Sequence, residues 1–228
     1  MDKLKRFIKL EISNWEKHEI AFLLLILTFI AINTFFLKDN LLSVISAICG
    51  ILYTIIAGKG KISCFIFGLL GSVCYSILSF KNAVWGSLLL SACYYIPMEI
   101  VGIFKWKNNL KEKTNEIIKT KLNKNEFLPI IIFVLISTLI TIEIFYLIND
   151  ASPVLDAIAT IFSIVGMYLT VKRCIEQWYM WIIVNFVSMI MWIDLILQGS
   201  KSISTVVMWI VYLIVGIYFL LEWKKEVK

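Results

Sequence analysis

Histidine occurs once in this chain of 228 residues, at His18, and proline three times. A histidine-centred metal or acid–base site therefore has nothing to be built from, and His18 reads as solvated. No HExxH, GxSxG or Walker-type phosphate loop is present, so neither metal-assisted hydrolysis nor ATP has its usual foothold. Cys49, Cys64, Cys74, Cys93 and Cys174 show no CxxC or metal spacing and read as small apolar fillers. The expectation is a chain that is not an enzyme, with no catalytic residue, cofactor or metal. Asp and Glu number only 16, and none sits where an ion-coupled carrier usually needs one, at mid-span. Glu99 is the deepest, and an ion pair with Lys59 or Lys61 is the expected means of holding it there.

What fills the chain instead is apolar. Of its residues 60% are hydrophobic and mean hydropathy is +0.87, far above a soluble domain of this size. Eight spans are predicted, near 20–37, 41–57, 62–80, 84–104, 128–148, 154–171, 177–197 and 203–221. The fold expected is an all-α integral membrane protein with a lipid bilayer as partner. The net charge of +6 is loop charge and does not point to nucleic acid. All but three of the 22 Lys and Arg fall in the termini and alternate loops, the exceptions being Lys38, Lys81 and Lys201. That asymmetry predicts both termini in the cytoplasm. The first 18 residues are charged and no small-residue cleavage site follows, so no cleavable signal peptide is expected.

A repeat underlies the spans. Shifted by 114 residues, spans two to four fall on spans six to eight: Lys59 meets Arg173, Phe67 meets Trp181, Gly71 meets Asn185 and Gly102 meets Gly216. Three helices end opposite where they began, and span five returns the chain. This predicts 3+1+3 parallel repeats plus one N-terminal span, a plan known among transporters. The parts are an N-terminal segment and extra helix at 1–37, a first repeat at 40–106, a loop and linker helix at 107–148, a second repeat at 154–222 and a tail at 223–228.

One face of span seven is unlike a lipid-facing surface. Trp178, Trp181, Asn185, Ser188 and Trp192 share a stripe roughly 80° wide at 3.6 residues per turn. An amide at mid-span needs a partner, since hydrocarbon offers none. The stripe therefore faces protein or a cavity. Its flat aromatic faces around one amide suit a flat polar solute, neutral or cationic. Trp209, Tyr212 and Gly216 repeat the i, i+3, i+7 spacing on span eight, and Phe67, Gly71 and Tyr75 occupy the matching face of the first repeat. Asp156, Thr160, Ser163 and Thr170 put a second polar stripe on span six, for which helix–helix hydrogen bonding is the plain reading. For Trp178 and Trp192, near span ends, an interfacial aromatic belt is the alternative. Tyr94 and Tyr95 are divided between core packing and pore lining. Pro97 is a kink or hinge candidate, and Glu99 and Glu176 are gate candidates.

At Glu176, Gln177, Trp178 through Trp181 to Asn185, at Tyr94, Tyr95 and Pro97 through Gly102 to Trp106, and at Tyr212, Gly216 and Trp223, the chain resembles the PnuC-type vitamin transporters, bacterial relatives of the SWEET and SemiSWEET sugar carriers. The resemblance covers roughly 40–223, and the WxxWxxxN pattern looks like the nicotinamide riboside branch. It implies facilitated diffusion (uniport) of nicotinamide riboside across a bacterial cytoplasmic membrane, trapping by a separate cytoplasmic riboside kinase, and a homo-oligomer, a trimer. A carrier for thiamine or another nucleoside-like vitamin is the alternative cargo. A non-transporting membrane sensor is the alternative class, for which an appended signalling domain or a longer tail is expected. Independently of the resemblance, the ring faces suit a pyridinium cation, and Asn185 offers the donor and acceptor that a carboxamide or ribose hydroxyls need.

Overall fold

The computed structural model describes residues 11, 15–37, 41–81, 88–112, 114–150, 152–197 and 203–227. Among these are eight α-helices: α1 (Lys17–Leu37), α2 (Leu41–Gly58), α3 (Cys64–Lys81), α4 (Ile96–Lys107), α5 (Lys124–Leu147), α6 (Pro153–Val171), α7 (Gln177–Leu197) and α8 (Ile203–Glu226). They fall on the eight predicted spans. Lys38 and Lys201 lie outside the described residues, as does the side chain of Lys81. By length and composition α5, α6 and Val206–Glu226 of α8 can cross a membrane, and Glu19–Ile30, Val44–Gly58 and Cys64–Ile77 are shorter apolar stretches.

Two compact units divide the chain at Ile118 and Lys119. In the first, α3 packs against both α2 and α4; in the second, α7 packs against both α6 and α8, and α5 lies against α6. No residue of α5 is buried. Its Leu135, Ile136, Leu139 and Ile140 are exposed, and an apolar surface all round belongs in lipid. Only Ile130 and Val134 of α5 reach the small core cluster of Val165, Leu169 and Cys174.

Two helix ends, one in each unit, close in the same way. After α2, Gly60 adopts φ 69°, its N–H donating to Ala57 O while Lys61 N–H donates to Ile56 O. After α6, Arg173 adopts φ 63°, its N–H donating to Thr170 O while Cys174 N–H donates to Leu169 O. Both are Schellman closures, which need one left-handed residue. They align Gly60 with Arg173, so the two helix hairpins correspond at a shift of 113, and the ring contacts continue it, Phe65 on Trp106 corresponding to Trp178 on Phe219. The pairing expected at 114 is therefore one residue, or about 100° of helix, out of step on α3 and α7. In this register Gly68 stands at the position of Trp181, and Ser72 at that of Asn185.

Arg173 meets with a side chain the demand that Gly60 meets without one. Left-handed backbone costs a side-chain-bearing residue about 1 kcal/mol, offset in part by the greater freedom of glycine in the unfolded chain. Arg173→Gly is expected to raise the unfolding temperature in detergent slightly; a fall would show that the contacts of the guanidinium outweigh the strain.

Each turn also takes a partner from the loop that follows α4. Ile117 N–H donates to Gly60 O, and Thr120 N–H donates to Arg173 O while Ile175 N–H donates to Thr120 O. Lys61, 0% exposed, donates to Thr114 O at 2.7 Å and lies 3.6 Å from Glu116. Burial pushes its ammonium below the ordinary lysine range, while Glu116 pulls it back up. Lys172 pairs with Glu126 at 2.7 Å, which raises its pKa.

Candidate functional site

The second unit brings its site residues together on α6, α7 and α8. Helix α7 starts after the Cys174–Gln177 turn and carries Trp178, Trp181, Asn185 and Ser188 on successive turns.

Trp178 is 2% exposed. Its ring stacks on Phe219 at 5.6 Å and meets Trp223 edge-on at 5.7 Å. The position is an aromatic clasp between the start of α7 and the end of α8, with an indole N–H that is buried without a hydrogen-bond partner. Lys119 lies over the Trp223 ring at 5.0 Å and pairs with Glu226.

Trp181 is half-buried and held from α6. Its Nε1–H donates to Thr170 Oγ1 at 3.0 Å, and Thr170 Oγ1 donates in turn to Gly166 O at 2.8 Å. A Cβ on Gly166 would lie 3.1 Å from Trp181 Cε2 and 3.3 Å from Cδ2, so the indole is seated directly on that glycine.

Asn185, one further turn along, is 4% exposed, and its side-chain amide makes no hydrogen bond among the described residues. Its Nδ2 lies 3.6 Å from where a Cβ on Gly216 would be. Ser188 is buried beside it on the same face, and Ser163 is buried on α6. The Asn185 amide atoms are not among the side-chain atoms sealed off without a partner, unlike the indole N–H groups of Trp178 and Trp209, so they remain accessible to a solute. On α8, Trp209 and Tyr212 meet edge-on at 5.7 Å, and the Trp209 indole N–H is buried without a partner. Trp192 is half-buried near the end of α7. Glu176 accepts from Leu122 N–H at 2.9 Å, so in this structure it pins the loop.

In the first unit the corresponding positions are filled differently. Phe67 and Tyr75 are half-buried, and Gly71 packs against α2, where its Cβ would lie 3.2 Å from Cys49 Cβ. The large ring comes from α2 instead: a Cβ on Gly68 would lie 2.9 Å from Tyr53 Cδ2 and 2.8 Å from Glu99 Oε1. Ring and glycine have exchanged helices relative to Trp181 and Gly166. Glu99, 4% exposed, accepts from Ser72 Oγ at 2.9 Å, and its Oε2 is buried without a partner. The expected ion pair with Lys59 or Lys61 does not form. Those lysines sit past the end of α2, where Lys59 pairs with Glu19 and Lys61 turns to Glu116 and the loop carbonyl.

Tyr94 and Tyr95 lie in a π-helical stretch, Leu90–Tyr95, with rings 6.0 Å apart. Ile96 N–H donates to Ser91 O, and Pro97, exposed, opens α4. A proline one residue later has no N–H to continue the α pattern, so the wider turn forms there. Gly68, Ser72, Gly166 and Tyr53 were not singled out from sequence. The paired Schellman turns are the signal that would have found the first two, since they set the register.

Comparison with known proteins bears on this arrangement. Residues 40–225 match the family model described as nicotinamide mononucleotide transporter. The chain is 30% identical over 221 residues to the nicotinamide riboside transporter PnuC of Neisseria mucosa, covering 95% of this chain and 84% of that protein. It is 26% identical to the protein of the same name from Haemophilus influenzae, covering 95% and 94%. A crystal structure of a vitamin B3 transporter PnuC superposes with a TM-score of 0.85 at 29% identity, over 96% of each chain.

Proposed function

Because this chain belongs to the nicotinamide mononucleotide transporter family, we propose that it is a multi-pass membrane transporter carrying nicotinamide riboside by uniport. The observation that carries this reading is the pairing on α7 of a Trp181 ring clamped from α6 with the unbonded, accessible amide of Asn185 one turn away. A pyridinium is a flat cation, and a tryptophan face binds such a cation with about 0.5–2 kcal/mol. The amide matches a carboxamide or ribose hydroxyls. Trp178, Ser188, Trp209 and Tyr212 complete the proposed site within the second unit; within the first unit Phe67, Gly71, Tyr75, Tyr94 and Tyr95 are likewise proposed as substrate-binding residues.

The sequence also favours the riboside over its phosphorylated form. Helices α6 and α7 contain no Lys or Arg, and α8 none before Lys224. A phosphate withdrawn from water needs such a cation.

The proposal extends to architecture and setting. Eight spans cross a bacterial cytoplasmic membrane, the fourth made of the π-helical Leu90–Tyr95 together with α4, with α2–α4 and α6–α8 as parallel repeats joined by α5, α1 additional and both termini inside. The working form is a homo-oligomer, a trimer, and a separate riboside kinase traps the solute. Cysteine at Glu112, exposed in the loop after α4, is expected to react with an impermeant reagent only in opened cells, and cysteine at Ile148, exposed after α5, in intact cells. The reverse pattern would invert the orientation.

Uptake of labelled nicotinamide riboside into liposomes, with thiamine and riboflavin as competitors, tests cargo and mechanism together. With membrane potential clamped at zero, uptake is expected to stop at equal concentrations, because binding alone cannot favour one facing state beyond what the gradient supplies. Imposed proton or sodium gradients should leave the plateau unchanged, and a kinase with ATP inside should restore accumulation. Accumulation above equilibrium that disappears in Glu99→Gln would refute uniport. Stronger uptake of thiamine would reassign the cargo.

A further inference from the structure

Trp181 is the one tryptophan of the α7 stripe whose indole N–H is bonded to a neighbouring helix in the described structure, and the way it is bonded restricts what it can offer a ligand. Three features converge on it from α6. Thr170 Oγ1 accepts the indole proton at 3.0 Å. The Thr170 hydroxyl donates its own hydrogen bond to Gly166 O at 2.8 Å, which orients its lone pairs toward the indole. Gly166 leaves no Cβ between the backbone and the ring, where a Cβ would stand 3.1 Å from Cε2. Thr170 is 1% exposed, so water does not compete for the bond.

We propose that Thr170 and Gly166 are positioning residues of the binding site, fixing the Trp181 indole so that it meets the ligand through its ring face and not through its N–H. This rests on the function proposed above. Its consequence is specificity. An indole free to turn could donate to any acceptor on a solute. One whose N–H is already taken selects for flat, electron-poor rings and leaves hydrogen-bond recognition to Asn185, whose amide stays unbonded and accessible. Neither Thr170 nor Gly166 need touch the ligand.

Thr170→Val keeps the shape and removes the acceptor; Thr170→Ser keeps the acceptor. In detergent-purified protein, Thr170→Val is expected to weaken nicotinamide riboside binding roughly three- to tenfold, as for one lost hydrogen bond, and Thr170→Ser to restore most of it. In a Trp181→Phe background, Thr170→Val should have no further effect on binding, because there is no indole left to orient. Gly166→Ala, which leaves both hydrogen bonds and lifts the ring by a few tenths of an ångström, should weaken binding as well, and it serves if Thr170→Val does not fold. A second readout is independent of the ligand. In fluorotryptophan-labelled protein, the fluorine resonance assigned to Trp181 by its loss in Trp181→Phe should shift or broaden in Thr170→Val and not in Thr170→Ser. Unchanged binding in Thr170→Val, an equal loss in the Trp181→Phe background, or an unmoved Trp181 resonance overturns the positioning role. Wild-type protein that binds no nicotinamide riboside would sink the proposed cargo, while the fluorine spectrum would still decide whether α6 holds the ring.

Discussion

Trp181→Ala is expected to weaken nicotinamide riboside binding by about 1–3 kcal/mol, combining lost ring area with lost cation–π attraction. The substitution leaves the Thr170 hydroxyl without its donor and uncovers Gly166, so part of the loss comes from α6 ceasing to present any surface to the ligand. Trp181→Phe should recover part of the affinity, since a phenyl ring can sit on the same glycine, though without the N–H anchor. Trp192→Ala, near the far end of α7, should do much less. Calorimetric titration of the three variants separates these cases; equal losses at 181 and 192 would overturn the assignment of the site to the first half of α7.

The largest effect on stability is expected from Gly102→Ala. A Cβ there would stand 2.4 Å from both Cε1 and Cζ of Phe65. Phe65 has no room to retreat: it is fully buried, packs edge-on against Trp106 at 4.9 Å and has Tyr53 at 6.2 Å. Overpacking of a dense interior costs about 1–3 kcal/mol and at times more, which exceeds the helix propensity of up to about 1 kcal/mol that alanine returns. The unfolding temperature in detergent should therefore fall sharply. Gly216→Ala provides the contrast. Its nearest neighbours would be Ile182 Cγ1 at 3.4 Å and Asn185 Nδ2 at 3.6 Å, ordinary contacts, so stability should hold or rise slightly. Its effect should appear in ligand affinity, through crowding of the Asn185 amide. Equal melting temperatures for the two variants would show that α4 shifts to admit the methyl.

The two glycines look equivalent in sequence, and they show where sequence reading stops. A motif such as Ile100 to Phe104 against Ile214 to Tyr218 records a shared helix face. It does not record which ring from the neighbouring helix fills the space beside it. In the first unit that ring is Phe65, and in the second the space beside Gly216 borders Asn185. Glu99 makes the same point. Its depth in an apolar stretch was legible, whereas its partner was not, because an expected place toward the same span ends as Lys59 and Lys61 says nothing about where those long side chains turn.

What the sequence by itself determined is the class of molecule and the composition of its unusual face. Length and hydropathy of the apolar runs delimit the helices, since hydrocarbon thickness and backbone hydrogen bonding leave few other solutions. The 3.6-residue period places Trp178, Trp181, Asn185 and Ser188 on one side of α7. Only the tertiary structure decided what each of those residues does on that side. The register between the two units turns on a shift of 113 and not 114, a difference too small for a weak sequence likeness to reveal, and yet one that moves a helix face by about 100°. Trp178 closes a clasp with Phe219 and Trp223, Trp181 is tied to Thr170, and Asn185 is left unbonded. Periodicity specifies the direction in which a side chain leaves its helix; its rotamer and partners are set by the helices packed against it.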